Sequence, residues 1–87
     1  MTLHRIYTED KNREAVYAIL DTHAEGYTVF TATGSRKGQR ENSLVIEFLD
    51  SDDTFGPIVE AIADAIKAAN SQESVMIVAQ PVRASFR

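Results

Sequence analysis

Apolar residues in the 87-residue chain alternate with others or run together in some segments and recur every three or four residues in others. The first pattern predicts strands and the second predicts helices, and together they give two strand–helix halves. In the first half, residues 3–8 have a strand-like composition, and residues 10–25 repeat apolar side chains at three-, four- and seven-residue spacing. This spacing predicts a helix with one apolar face. Thr8 or Asp10 is the expected cap of its first turn, and Gly26 is the expected left-handed residue beyond its end.

The second half repeats this arrangement. A second helix is predicted to begin at SDDTFGP, with Asp53 or Thr54 as its cap and Pro57 in its first turn. Pro81 indicates that the last strand leaves the sheet or lies at its edge. The remaining predicted strands are 27–33, 42–50 and 74–82. The order β-α-β-β-α-β predicts one domain, 1–87, with a ferredoxin-like α+β fold, in which both helices cover one face of a four-stranded antiparallel sheet.

The third strand is apolar on both of its faces. Leu44, Ile46 and Phe48 alternate with Val45 and Leu49, and only one polar residue interrupts this run. Because two helices can cover only one face of the sheet, the other face is expected to pack against further copies of the chain. A slightly apolar open face on a monomer is the alternative.

Composition excludes several classes of protein. The formal net charge is −4 and the isoelectric point is near 5.0, which argues against a broad nucleic-acid-binding surface. The sequence has no cysteine for disulfides and no apolar run of the length of a signal peptide or membrane span. A cytoplasmic protein without membrane insertion is the expectation.

Positive charge is nevertheless concentrated in two places. Residues 34–43, GSRKGQRENS, are predicted to form the loop between the second and third strands, and a basic tail ends the chain. Gly34 and Gly38 bracket the loop charge and let backbone N–H groups approach a ligand closely. The pattern predicts a small anion site, with a plain solvated loop as the alternative. Five of the nine basic residues lie in these two segments: Arg36, Lys37, Arg40, Arg83 and Arg87.

No set of side chains suited to acid–base catalysis is visible. His23 is expected to pack on the apolar face of the first helix, and His4 has no partner at metal-binding spacing. We therefore expect no enzyme activity, no catalytic residue and no metal site. The enzyme alternative is a dimeric α/β barrel of the small monooxygenase or isomerase type, with His4, Tyr7 and His23 around a pocket between sheet and helices.

The sequence resembles the PII signalling superfamily, with the CutA-type proteins as a second match. The similar segments are RIYTEDKNREAVYAIL…EGYTVF, TGSRKGQRENSLVIEF and VMIVAQPV, in the family's order. The resemblance implies a homotrimer that binds a nucleotide, such as an adenine nucleotide, or another small anion in clefts between subunits. It also implies that residues 34–43 signal to a target protein, such as a transporter or an enzyme. No other cofactor is implied.

Matching positions extend the resemblance to individual residues. Thr28 would lie beside the base or ribose, and Arg87 with Arg83 would approach from the C-terminal segment. The segment expected to face a phosphate consists of Gly34, Ser35, Arg36, Lys37, Gly38, Gln39 and Arg40. Two departures stand out: the loop is about half the usual length for PII proteins, and residues 71–74 lack the glycine-rich phosphate-binding turn with its lysine. Two further alternatives are a CutA-type metal-responsive trimer and a structural trimer whose basic loop binds an acidic protein.

Overall fold

A computed structural model describes all 87 residues and has the predicted βαββαβ order. The four strands form one antiparallel sheet in the order β2-β3-β1-β4, and the two helices lie on one of its faces. The elements are β1 (Thr2–Glu9), α1 (Arg13–His23), β2 (Thr28–Arg36), β3 (Gln39–Asp50), α2 (Gly56–Ala69) and β4 (Met76–Pro81). The ferredoxin-like fold is confirmed, and β4 lies at an edge of the sheet, as Pro81 indicated.

The core lies between the sheet and the helices. It is built from alternate positions of the two central strands and from one face of each helix, as the two sequence patterns predicted. Phe48 also packs against Phe55, with ring centroids 5.5 Å apart. The buried cluster consists of Ile6, Val16, Leu20, Leu44, Ile46, Phe48, Val59, Ile62, Ala63 and Ile66.

The predicted ends of α1 are wrong. The helix begins after Asn12, which adopts a left-handed conformation (φ 53°) and makes no side-chain capping bond. Asp10 instead accepts two hydrogen bonds from the guanidinium of Arg13, each 2.7 Å long. The helix ends at an extended Ala24, and Gly26 has no positive φ. The carboxylate of Asp10 is therefore engaged by Arg13, and no side chain caps the first turn of α1.

The start of α2 also differs from the prediction. The N-cap residue is Phe55, and its backbone N–H donates to the carboxylate of Asp50 over 2.9 Å. The N–H of Thr54 donates to the same carboxylate over 3.0 Å, so neither Asp53 nor Thr54 is the cap. The carboxylate that holds the residues before α2 is thus supplied by the last residue of β3, and no side chain caps the helix itself. Pro57 does lie in the first turn.

The connection between β2 and β3 is much shorter than predicted. The two strands stay paired as far as Arg36 and Gln39, so most of residues 34–43 lies in the paired strands of the predicted hairpin and not in its loop. Only Lys37 and Gly38 form the turn, with φ values of 51° and 79°. Two successive positive φ values are typical of a type I′ turn, whose twist matches that of the strands. Charged side chains are typical of loops, but here they occupy paired positions of two exposed strands, so composition predicts too long a loop.

The face of the sheet away from the helices, here called the open face, carries an apolar row. Phe30, Val45, Tyr7 and Met76 lie side by side across all four strands. Val45 is 2% exposed, whereas Phe30 and Met76 are 43% and 55% exposed. Packing of this face against other copies stays a prediction. None of the helices is long and apolar enough to cross a membrane.

Candidate functional site

The predicted ligand residues fall into two groups at opposite ends of the molecule. Thr28 begins β2 and Arg36 ends it. Because a strand rises about 3.3 Å per residue, these two residues lie about 26 Å apart. The C-terminal segment leaves β4 at the Thr28 end, where the N–H of Val82 donates to the carbonyl of Met1. One chain therefore does not bring Arg83 and Arg87 to the hairpin tip.

A cleft of about 350 Å³ lies at the Thr28 end of the open face. We call it the open-face cleft. It combines apolar side chains with a hydroxyl from β2, a carboxylate from β3 and the ring of a C-terminal residue, Phe86, which is 83% exposed. Its lining consists of Leu3, Gly26, Tyr27, Thr28, Glu47, Leu49, Ser51 and Phe86. Thr28 is thus the one predicted ligand residue in this cleft.

Glu47 is the only carboxylate that lines the open-face cleft. Its Oε2 atom accepts a hydrogen bond of 2.8 Å from Nε of Arg5. Arg5 in turn donates from Nη1 to Oε1 of Gln80 over 3.0 Å, so three neighbouring strands hold one another through side chains. The other carboxylate oxygen of Glu47 has no hydrogen-bond partner in the chain. It remains a free acceptor beside Thr28, its neighbour in the β2–β3 register.

Tyr27 is oriented by an acid at the other side of the cleft. Its hydroxyl donates a hydrogen bond to Asp21 near the end of α1. This bond, together with burial and the negative charge of Asp21, raises the pKa of Tyr27 to about 12. The phenol is therefore a neutral donor fixed on Asp21 at any physiological pH, and it does not act as a base.

The hairpin tip carries three unpaired positive charges. Arg36, Lys37 and Arg40 are exposed, and none of them forms an ion pair or a side-chain hydrogen bond in the chain. Their possible structural partners are Glu41 and Asp50, but Asp50 is hydrogen-bonded to His4 and the backbone of α2, and Glu41 is unpaired. The charges are thus available to a ligand or to another subunit.

A second, smaller cleft of about 220 Å³ lies between the hairpin and the α2–β4 turn. Its only cations are Arg36 and Lys11, and Lys11 lies 3.1 Å from a carboxylate oxygen of Glu9. The lining consists of Glu9, Lys11, Arg36, Ser71, Gln72, Glu73 and Ser74. With two acids beside two bases, this cleft offers no concentrated positive charge for a phosphate.

The α2–β4 turn is held by amide side chains where the resemblance would place a phosphate-binding turn. Gln72 accepts hydrogen bonds from the hydroxyl of Thr8 (2.6 Å) and the amide of Asn70 (3.1 Å). Asn70 also accepts from the amide of Asn12 over 3.1 Å. Thr8 and Asn70 are buried, so this network joins β1, α1 and α2 internally. These groups serve the fold and are not free for a ligand.

The residues of the enzyme alternative do not converge. His4 is buried on the helix side of the sheet, Tyr7 lies on the open face, and His23 is exposed, with Nδ1 2.8 Å from the carbonyl oxygen of Ile19. The prediction that His23 packs, partly buried, on the apolar face of α1 is wrong, because the helix ends at this residue and its side chain is exposed. The space between sheet and helices is filled by the core cluster, which excludes these three residues from a shared pocket.

Sequence reasoning missed most of the open-face cleft. Glu47 was visible as the single polar residue in the apolar run of β3, and such an interruption on a strand is a usable signal. Leu49 is predicted only as part of an apolar face of the third strand, and Leu3 has no signal of its own in the sequence. Phe86 gave no periodic signal, because it lies in an irregular tail.

Comparison with known proteins gives matches in structure only. No protein-family model matches the sequence, and no curated protein matches it. Among solved structures, a phage SAM lyase in its apo state superposes with a TM-score of 0.72 at 22% identity, over 91% of this chain and 78% of that one. The same kind of enzyme in complex with S-methyl-5′-thioadenosine gives a TM-score of 0.61 at 22% identity, over 91% of this chain and 79% of that one.

A regulatory protein has the same fold. CPII, a nitrogen regulatory PII-like protein from Thiomonas intermedia K12 bound to ADP, AMP and bicarbonate, superposes with a TM-score of 0.67 at 16% identity. The match covers 99% of this chain and 93% of that one.

The expectation that the chain is not an enzyme is wrong, because an enzyme has the same fold. It rested on the resemblance to binding proteins and on the lack of a familiar catalytic set. The SAM lyase shows that this architecture also supports catalysis. The shared fold covers 91% of this chain in the comparison with the SAM lyase and 99% in the comparison with CPII.

Proposed function

We propose that the chain binds an adenosine-containing small molecule in the open-face cleft. The observation that carries the proposal is the composition of this cleft, where Glu47 and Thr28 lie beside the apolar side chains of Leu3, Leu49 and Phe86. Adenosine needs an apolar surface for its base and hydrogen-bonding groups for its ribose, and ligand sites commonly combine the two. Two structures of the same fold hold adenosine compounds, which supports this choice of ligand.

The binding unit in this proposal is a homotrimer. The open face exposes Phe30, Leu49 and Met76, and a second copy would cover this apolar surface. A neighbouring copy could also bring its own hairpin tip to the cleft, whereas within one chain Arg36 lies about 26 Å from Thr28. A complete site would then combine the cleft of one subunit with Arg36 and Lys37 of the next.

The positions of the charged side chains favour some adenosine compounds over others. The α2–β4 turn offers amides that are already hydrogen-bonded, and its neighbouring cleft holds as many acids as bases. The hairpin tip groups three unpaired cations, and these suit a single phosphate or a carboxylate better than a triphosphate. AMP, with one phosphate, and S-adenosylmethionine, with one carboxylate, fit this distribution best.

A second candidate function is lyase activity on S-adenosylmethionine. The observation that favours it is the superposition on a SAM lyase both without ligand and with S-methyl-5′-thioadenosine. In such a reaction, the bond between sulfur and the side-chain methylene of the amino-acid fragment breaks, and its electron pair neutralises the sulfonium. Attack of the fragment's own carboxylate on that carbon forms a lactone, so the reaction needs no water or cofactor.

Signalling to a target protein through residues 34–43 stays a prediction. The structure changes how such a contact would be made, since the segment is a hairpin with a two-residue turn. Exposed side chains at the tip, rather than a mobile loop, would meet the target.

Two assays separate these functions. In a thermal-shift assay, AMP and S-methyl-5′-thioadenosine at about 100 times Kd should each stabilise the protein by about 2.7 kcal/mol. Failure of both compounds to raise the melting temperature at millimolar concentration would contradict adenosine binding. Incubation with S-adenosylmethionine, followed by chromatography, tests the lyase. Enzyme-dependent release of S-methyl-5′-thioadenosine would support it, and release at the rate of the protein-free control would refute it.

A further inference from the structure

Two hydrogen bonds connect the side chains of Glu47, Arg5 and Gln80 across the open face, and the proposed function does not explain them. Arg5 lies at the centre of the open face and donates through two different nitrogen atoms to Glu47 on β3 and Gln80 on β4. The side chains of Arg5 and Glu47 are both 26% exposed, so the pair is partly desolvated. An ion pair in this setting restricts both side chains more than a fully exposed pair would.

The geometry leaves one oxygen of Glu47 for a ligand. Arg5 occupies Oε2, while the other oxygen has no partner in the chain. An ionised carboxylate accepts hydrogen bonds but donates none, so it selects a group with an O–H or N–H. Thr28 is the register neighbour of Glu47, and Leu49 lies two residues further along β3 in the same cleft. The cleft thus has a polar part and an apolar part.

We propose that Arg5 is a positioning residue that fixes Glu47 so that its free oxygen accepts a hydrogen bond from a ribose hydroxyl. The base then lies against the apolar part of the cleft. Acidic side chains are common partners of ribose hydroxyls in nucleotide sites, because both hydroxyls are donors. Gln80, on the edge strand β4, accepts a second hydrogen bond from Arg5 and so limits the movement of its side chain. This inference rests on the proposed adenosine site and names the determinant of its ribose specificity.

The consequence is a preference between two closely related ligands. Adenosine and 2′,3′-dideoxyadenosine share the base and differ in the hydroxyls. A hydrogen bond to a charged group contributes enough to change affinity by about tenfold or more. The wild-type protein should therefore bind adenosine at least about tenfold more tightly than the dideoxy compound.

The test measures both dissociation constants by isothermal titration calorimetry for the wild type and four variants. Arg5→Gln should reduce the preference to about twofold by weakening adenosine only, because Glu47 loses its fixed orientation. Gln80→Leu should act in the same direction with a smaller effect, and Gln80→Glu should keep the preference by preserving an acceptor for Arg5. Lys67→Gln, which removes an exposed charge on α2 that forms no ion pair, is the matched control and should change nothing.

The outcomes distinguish this inference from the proposed function. If the wild type binds neither compound, the adenosine site itself is refuted. If it binds both with equal affinity, or if Arg5→Gln weakens both equally, the site stands and the role of Arg5 in ribose recognition is refuted. Melting curves and light scattering identify a variant that misfolds or changes its assembly. If Arg5→Gln misfolds, Gln80→Leu, on an exposed residue of the edge strand, decides the question.

Discussion

The Nε2 atom of His4 lies 3.0 Å from Oδ2 of Asp50, and both side chains are buried. Asp50 also accepts the backbone N–H groups of Thr54 and Phe55. One carboxylate therefore joins the central strand β1, the end of β3 and the start of α2. This contact is structural, and it places His4 outside the ligand cleft.

Replacing Asp50 by Ala should lower the melting temperature by roughly 5–15 °C, because His4 and two backbone N–H groups lose their acceptor. Asp52→Ala, at an exposed neighbouring acid, is the control and should shift it by less than about 4 °C. Thermal unfolding followed by circular dichroism measures both. Equal shifts for the two variants would show that the Asp50 contacts add nothing to stability.

Asp50 also gives the stability a defined pH dependence. Burial raises the pKa of this carboxyl, but the hydrogen bonds from His4, Phe55 and Thr54 outweigh it and hold the pKa below its ordinary value. A lowered folded-state pKa adds stability above the unfolded-state value, near pH 4, and this stability is lost as pH falls through the folded-state value. The stability difference between the wild type and Asp50→Asn should thus shrink below about pH 4 in urea denaturation. A difference that grows on acidification would contradict this assignment.

The two-residue turn of the hairpin makes Gly38 a sensitive position. Its φ of 79° is readily adopted by glycine but strains residues that have a Cβ atom. Gly38→Ala should destabilise the protein by about 1 kcal/mol in urea denaturation, although its added Cβ would meet no neighbouring atom. Gly26→Ala, where no positive φ is needed, should be nearly neutral. If both substitutions cost the same, the type I′ turn is not formed in solution.

Much of the fold was predictable because every strand or helix that packs on the single core must place apolar residues on the side that faces it, and the spacing of these residues shows in the sequence. The alternation of Leu44, Ile46 and Phe48 and the helical spacing ending at Ile66 both survive in the structure. The start of α2 was not predictable, because Asp50 at the end of β3 holds the backbone of Thr54 and Phe55 just before it. Part of the candidate site was also hidden, since Arg5 approaches Glu47 only once β1 and β3 pair in register.

The open face offers a test of assembly. Phe30→Ser and Met76→Ser replace two apolar residues exposed on this face, so they should dissociate a trimer into monomers at micromolar concentration. Ile58→Ser is the control, since Ile58 is similarly exposed (38%) but lies on α2, on the other side of the sheet. Light scattering coupled to size-exclusion chromatography measures the masses. A wild-type mass of one chain would refute the trimer.

The basic hairpin tip should matter only for ligands with a negative charge near it. Replacing Arg36 and Lys37 together by Ala should weaken AMP binding by about tenfold, because charge-assisted hydrogen bonds are lost. Binding of S-methyl-5′-thioadenosine, which has no phosphate, should be unchanged, as should the mass of the assembly. Calorimetric titration of the double variant with both ligands tests this. Unchanged AMP affinity would mean that the tip is only a solvated turn.

The location of the ligand is the central claim, and nuclear magnetic resonance tests it most directly. Titrating S-methyl-5′-thioadenosine into ¹⁵N-labelled protein should shift the backbone amide signals of the cleft residues Thr28, Glu47 and Leu49 in a saturable way, while signals of the outer face of α1, such as Ala18, stay fixed. Shifts confined to other surfaces, or no saturable shifts at millimolar ligand, would contradict an adenosine site in the open-face cleft.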